Sequence, residues 1–166
     1  MPKRWHIAVH DQSRSLQLER ALGVPTVVAG LLAARGLADP AAAKAFLSAT
    51  MSDLRDPETL PGITQAADRI VAAIRNGRSI VIYGDYDADG MSATAILIDC
   101  LQTSGATPQW YVPDRIDEGY GLNSEALDSL KKKGADLVIT VDCGIASVRE
   151  AAHARTIGLE LIVTDH

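Results

Sequence analysis

The chain has 166 residues, a formal net charge of −5, 47% hydrophobic residues and only 4% aromatic residues. Its length predicts one main domain with an appended helical segment. The scarcity of aromatics predicts a core of Ala, Val, Ile and Leu, as in parallel sheets covered by helices. The negative charge argues against a protein that coats nucleic acid non-specifically, because such proteins are normally basic. It leaves a nuclease open, since bound metal ions offset clustered acids.

The sequence predicts a cytoplasmic protein without a membrane segment. Residues 1–11 lack the apolar stretch of a signal peptide, and no uninterrupted apolar run approaches transmembrane length. Cys100 and Cys143 show neither CxxC nor zinc-site spacing. We expect both to be core thiols, and so few cysteines fit a reducing compartment.

Residues 1–62 are predicted to form a helical amino-terminal segment. The stretch 25–36 is typical of a helix closed by a carboxyl-terminal glycine. Asp39, followed by Pro40, is typical of the start of a helix over 41–47. Pro57, Pro61 and Gly62 then predict a linker.

Residues 63–166 alternate between helix-like and strand-like segments. The predicted helices are 64–76, 90–104, 123–133 and 147–156, and the predicted strands are 79–84, 109–112, 137–141 and 160–164. This alternation predicts an α/β domain with a doubly wound parallel sheet. Neither a glycine-rich dinucleotide motif nor a P-loop follows the first strand, which argues against the usual nucleotide-binding folds.

Three acids follow the first predicted strand, at Asp85, Asp87 and Asp89. Residues two apart in an extended chain point the same way, so these carboxylates are expected to crowd on one side. Like charges at such distances repel unless a cation neutralises them. The motif therefore predicts a hard divalent metal ion used for phosphoester chemistry.

Two other interpretations compete for the motif from Asp85 to Gly90. An EF-hand calcium loop also begins with this pattern, but its twelfth position requires a glutamate where this chain has Ile96. An EF-hand also needs a preceding helix, whereas a strand-like run precedes Asp85. A solvated acidic turn remains open on this motif alone.

Two further strand ends carry similar groups. Asp142 follows the strand predicted at 137–141, and Asp165 and His166 follow the strand predicted at 160–164. Parallel strands present their carboxyl ends at one edge, so these groups are expected to converge there. Carboxylate oxygens with one imidazole suit Mn²⁺ or Mg²⁺. The helix predicted from Gly90 is expected to aim its amino-terminal N–H groups at the same anionic substrate.

On these three motifs the chain resembles the DHH phosphoesterase superfamily. The stretches 32–37, 69–77 and 118–123 resemble its branch of bacterial single-stranded-DNA exonucleases. The resemblance implies that residues 63–166 form a DHH-type phosphoesterase domain. It also implies a metal-dependent 5′→3′ exonuclease that releases nucleoside 5′-monophosphates during DNA repair and recombination.

The resemblance further implies roles for individual residues. Asp87 and Asp89 would each hold one of two Mn²⁺ (or Mg²⁺) ions. Asp142 would bridge the two ions and His166 would bind the second. Asp85 would act nearby as a ligand or as a hydrogen-bond acceptor behind the ligands.

Substrate and partner expectations also rest on the resemblance. Arg115 is a candidate contact for the substrate phosphate, and the expected partners are single-stranded DNA, a single-strand-binding protein and a repair helicase. Because the chain stops at His166, one residue short of the Asp-His-His motif, we expect a fragment with little activity by itself. A phosphodiesterase acting on oligoribonucleotides or cyclic dinucleotides, or a non-catalytic binding module, remains open.

Overall fold

The computed structural model describes residues 11–114, 116 and 118–166. The chain divides into two compact units, Met1–Asp56 and Pro57–His166. The described part of the first unit contains three α-helices and a short 3₁₀ turn: α1 (Gln12–Leu22), α2 (Thr26–Ala34), α3 (Pro40–Leu47) and Met51–Asp53.

The first unit packs its helices around small and aliphatic side chains. Leu18, Ala29, Leu32 and Ala43 form its buried core. The carboxylate of Asp39 accepts a hydrogen bond from the Ala42 amide (2.8 Å), which confirms the predicted cap of α3.

The second unit alternates helix and strand after a 3₁₀ turn at Pro57–Thr59. Its elements are α4 (Ile63–Arg75), β1 (Ile80–Tyr83), α5 (Ala88–Thr103), β2 (Gln109–Tyr111), α6 (Ser124–Lys132), β3 (Leu137–Val141), α7 (Val148–Thr156) and β4 (Glu160–Thr164). Every strand predicted from the sequence is present, and the strand boundaries differ from the prediction by one residue at most. No helix in the described residues has the length and apolar character needed to cross a membrane.

The four strands form one parallel sheet in the order β2-β1-β3-β4. Side chains of α4 and α5 cover one face, where Ile80, Ile82 and Ile139 are buried. Side chains of α6 and α7 cover the other face, where Val81 and Val138 are buried. Helices on both faces confirm the predicted doubly wound architecture.

The strand order places a topological switch point between β1 and β3. The chain leaves β1 toward β2 on one side of the sheet, and returns through β3 toward β4 on the other. In sheets of this kind the connections diverge at such a point and leave a crevice at the carboxyl ends of the two strands. The acids that follow β1 and β3 lie at this crevice.

One core prediction is wrong. Cys100 is exposed on α5, whereas Cys143 is fully buried as expected. The helical run around Cys100 is apolar on more than one side, and only one side can face the sheet, so composition alone did not identify the buried positions.

Candidate metal centre

Asp85 is the most deeply buried acid of the site. Asp85 is only 2% exposed, and its Oδ1 accepts a hydrogen bond from the Tyr86 amide (2.7 Å). A Cβ added at Gly90 would lie 2.6 Å from the Cβ and 2.7 Å from the backbone oxygen of Asp85. Only glycine allows this approach, so Gly90 fixes where α5 passes Asp85.

Asp87 is the N-cap of α5. Its Oδ1 accepts hydrogen bonds from the amides of Asp89 (3.0 Å) and Gly90 (2.9 Å). The prediction that these N–H groups face a substrate anion is therefore wrong, because the Asp87 carboxylate already occupies them. The cap uses one carboxylate oxygen and fixes the direction of the other.

Asp142 lies directly after β3 with a left-handed backbone, at φ 61°. Its amide donates to the Thr164 oxygen (3.0 Å), which ties it to the end of β4. The buried Thr140 hydroxyl donates to the Cys143 oxygen (2.7 Å) and holds the turn from inside. Aspartate tolerates this conformation better than most residues, so the turn presents a carboxylate at little conformational cost.

The structure brings three of the predicted acids together. Ligand oxygens of Asp85, Asp87 and Asp142 all lie within 4.8 Å of one another. Asp89 and His166 stand at the neighbouring position, where they line a cavity of about 310 Å³ with Asp142. His166 Nε2 lies 3.3 Å from Asp142 Oδ1, so Asp142 is common to both groups.

The electrostatics of Asp142 reflect this crowding. Its side chain is 15% exposed. Partial burial and the nearby carboxylates of Asp87, Asp89 and Asp85 raise the pKa of Asp142, while His166 lowers it. In the described part of the chain, no Lys or Arg nitrogen lies within 4.0 Å of these four carboxylates. The site has an excess of negative charge that a cation would relieve.

Two residues hold the site in ways that the sequence did not indicate: Asp165, which the sequence placed at this edge without a role, and Thr140, which it did not single out. Asp165 Oδ2 accepts from the Ile145 amide (2.9 Å), and its Oδ1 accepts from the His166 amide (2.8 Å), so it joins the turn after β3 to the end of β4. Thr140 is the other, and a threonine within an otherwise apolar strand was the available signal. Arg115, the predicted phosphate contact, lies outside the described residues.

Comparison with known proteins gives consistent matches. The exonuclease RecJ of Bacillus subtilis is 44% identical over 163 residues, which cover 98% of this chain and 21% of that protein. RecJ of Salmonella typhimurium is 43% identical over 110 residues, covering 66% of this chain and 19% of that protein. Both are named single-stranded-DNA-specific exonucleases. The chain thus spans about a fifth of the length of these curated relatives.

Solved structures match the same fold. A crystal structure of exonuclease RecJ bound to manganese superposes with a TM-score of 0.60 and 42% identity, over 64% of this chain and 28% of that one. RecJ from Thermus thermophilus in complex with Mn²⁺ superposes with a TM-score of 0.62 and 31% identity, over 96% of this chain and 22% of that one.

The family profile covers the site described above. The profile of the DHH family, N-terminal domain, matches residues 79–166, which include β1, the acidic loop and the ends of β3 and β4. Since this match covers more than half of the 166 residues, the chain belongs to the DHH family.

Proposed function

We propose that this chain supplies the metal-binding catalytic edge of a metal-dependent exonuclease acting on single-stranded DNA. One observation carries the proposal: the carboxylates of Asp85, Asp87 and Asp142 meet within 4.8 Å at the switch point of a parallel sheet. Oxygen-rich clusters of this kind suit the hard divalent ions that assist phosphoryl chemistry.

The donor set fits two neighbouring ions. Asp85, Asp87 and Asp142 form one group, and Asp89, His166 and Asp142 border the adjoining cavity. Because Asp142 belongs to both groups, we assign it the bridging position. One imidazole among carboxylates favours Mn²⁺ or Mg²⁺ over Ca²⁺.

The chain's own residues position the reaction. Bound divalent ions would supply Lewis-acid stabilisation of the phosphoryl oxygens and a water of lowered pKa. The helix cap holds Oδ1 of Asp87, so the orientation of this carboxylate is set before any ion arrives. One of its oxygens lies within 4.8 Å of ligand oxygens of Asp85 and Asp142. Asp165 holds the two strand ends together and thereby keeps His166 beside Asp142.

The substrate and the biological role are inferred from the relatives. The matching proteins are named single-stranded-DNA-specific exonucleases, and matching structures contain manganese or magnesium. We extend single-stranded DNA and Mn²⁺ to this chain on that basis, and 5′→3′ polarity on the family resemblance of its motifs. A role in DNA repair and recombination, with a single-strand-binding protein and a helicase as partners, belongs to the same proposal.

Calorimetric titration with Mn²⁺ tests the metal centre directly in this chain. We expect saturable binding by the wild type and at least about 10- to 100-fold weaker binding by Asp142→Asn, because a shared ligand is lost. Asparagine keeps a side chain that tolerates φ 61°, so the comparison isolates the charge.

Glu160→Gln is the matched control, since it neutralises an acid at the opposite edge of the sheet. It should bind Mn²⁺ as the wild type does. Equal Mn²⁺ affinity of the wild type and Asp142→Asn would refute the assignment. In a full-length nuclease that carries this chain, faster digestion of two- to four-nucleotide RNA than of long single-stranded DNA would instead favour an oligoribonucleotide substrate.

A further inference from the structure

The loop after β2 is fixed against the sheet at two points. The buried Tyr83 hydroxyl donates to the Gly121 oxygen (3.0 Å) and accepts from Asn123 Nδ2 (3.3 Å). Glu118 accepts from the Tyr111 hydroxyl and from the Asp114 amide. Both ends of the 118–121 stretch are therefore anchored, and its central side chain is presented from a defined position.

That central side chain is Tyr120, which is 67% exposed. Its ring meets the ring of Tyr86 edge to face, with centroids 6.3 Å apart and an interplanar angle of 78°. Tyr86 lies between Asp85 and Asp87 in the acidic loop. Because Tyr86 belongs to the acidic loop, this contact places the Tyr120 ring beside the candidate metal centre. Partial desolvation and the charges of Asp85 and Asp165 raise the pKa of the Tyr120 phenol, which agrees with this position.

We infer that the Tyr120 ring, supported by Tyr86, stacks against the nucleobase of the nucleotide whose phosphate lies at the metal centre. This inference rests on the proposed function, because it takes a nucleic-acid strand as the ligand. An exposed aromatic ring at a fixed distance from a phosphate site is the arrangement by which single strands are held without sequence readout.

The surroundings favour a base over a phosphate as the partner of Tyr120. The acids near the phenol repel a second anion at this position, whereas the neutral face of a base carries no such penalty. The edge-to-face contact with Tyr86 leaves Tyr120 substantially exposed for a flat ligand. The ring therefore selects nucleotides over phosphodiesters that lack a base.

The test compares two single-stranded ligands with the same number of phosphates. One is a hexathymidylate and the other a hexamer of abasic residues, both with phosphorothioate linkages and a 3′ fluorescein. Their affinities for the 166-residue chain in Mn²⁺ are measured by fluorescence anisotropy. We expect wild type to prefer the thymidine ligand by roughly 5- to 100-fold, the range that stacking supplies. Tyr120→Ala should abolish most of this preference, and Tyr120→Phe should retain it.

Trp110→Ala is the matched control, because Trp110 is 64% exposed but lies within β2, opposite Ile82, and not in the 118–121 stretch. It should keep the preference. A preference that survives in Tyr120→Ala, or no preference in wild type, overturns the inference. Asp142→Asn separates the two proposals. If Mn²⁺-dependent binding of both ligands survives that substitution, the metal assignment fails; if it disappears while Tyr120→Ala has no effect, only the stacking inference fails.

Discussion

The two edges of the parallel sheet differ in how their acidic side chains are balanced. We call the edge where the strands begin the amino edge and the edge where they end the carboxyl edge. At the amino edge, Glu160 is paired with Arg69 (2.7 Å) and with Arg78 (2.6 Å). Arg78 also donates to the backbone oxygen of Asp136 (3.0 Å), and the side-chain carboxylate of Asp136 accepts from the Ser79 amide (2.9 Å). Each acid there has a partner within the protein, and the groups connect β1, β3 and β4.

At the carboxyl edge the acids face one another instead. The pKa of Asp142 is raised by partial burial and by its neighbouring carboxylates, whereas the pKa of Glu160 is lowered by its hydrogen bonds to Arg78 and Arg69. The difference indicates that the paired charges at the amino edge stabilise the fold, and it supports the proposal that the acids at the carboxyl edge bind a cation. Active sites commonly concentrate such internally uncompensated groups.

The largest expected effect is on kcat: neutralising one carboxylate should lower it greatly at the carboxyl edge and hardly at all at the amino edge. In a full-length nuclease containing this chain, Asp142→Asn should lower kcat by about 10²–10³-fold or more with a smaller change in KM, because the lost charge acts most strongly in the transition state. Glu160→Gln should leave kcat within about twofold. Steady-state digestion of single-stranded DNA in Mn²⁺ measures both.

The free energy of unfolding should change in the reverse order: Glu160→Gln should lose stability, whereas Asp142→Asn should not. Glu160→Gln removes a carboxylate shared by two arginines and should lower the free energy of unfolding by about 1–2 kcal/mol. Metal-free Asp142→Asn should be as stable as the wild type or slightly more so, since repulsion is relieved. Urea denaturation followed by circular dichroism gives the values, and a large stability loss in Asp142→Asn would contradict the comparison.

A comparable loss of stability is expected when the backbone of the carboxyl edge is displaced without a change of charge. In Gly90→Ala the new Cβ would meet the Asp85 backbone at 2.7–2.8 Å, so the loop or the first turn of α5 must move. We expect a loss of about 1–3 kcal/mol in unfolding free energy, together with weaker Mn²⁺ binding by calorimetry. Met91→Ala, at an exposed neighbouring position, is the control and should keep Mn²⁺ affinity.

The carboxyl edge was more predictable from sequence than the amino edge, for a physical reason. Asp85 and Asp142 each follow an apolar run directly, and Asp87 comes two residues after Asp85. Parallel pairing alone brings such strand ends together. Glu160 meets its two arginines because of the register of β1, β3 and β4 and the position of α4, which local sequence patterns do not specify. The ion pairs at the amino edge could therefore not be predicted from the sequence.

Within the site, the sequence predicted which groups meet but not what each one does. Asp87 can cap α5 because its backbone is extended, with ψ of −179°. The motif alone does not specify this conformation, so the sequence predicted that the first N–H groups of α5 would face the substrate. The role of Asp165 depends on the contact between two turns, which no spacing rule indicates. Local periodicity fixes elements, whereas contacts between loops follow from the packed fold.

The smallest expected effect is a difference in the sign of pH dependence, and it follows from the two pKa directions. The folded pKa of Glu160 is below its ordinary 4.5, so its stabilisation is present above pH 4.5 and is lost as pH falls through the folded value. The folded pKa of Asp142 is above its ordinary 3.8, so in metal-free protein stability is lost as pH rises from 3.8 through the folded value.

Urea denaturation between pH 3 and 7 should therefore give difference curves of opposite slope. As pH rises, the unfolding free energy of the wild type should increase relative to that of Glu160→Gln. It should decrease relative to that of Asp142→Asn. Saturating Mn²⁺ should reverse the second slope, because the ion binds the ionised carboxylate and stabilises the folded state more as Asp142 loses its proton. Parallel curves that Mn²⁺ does not alter would show that the carboxyl edge is balanced internally, as the amino edge is.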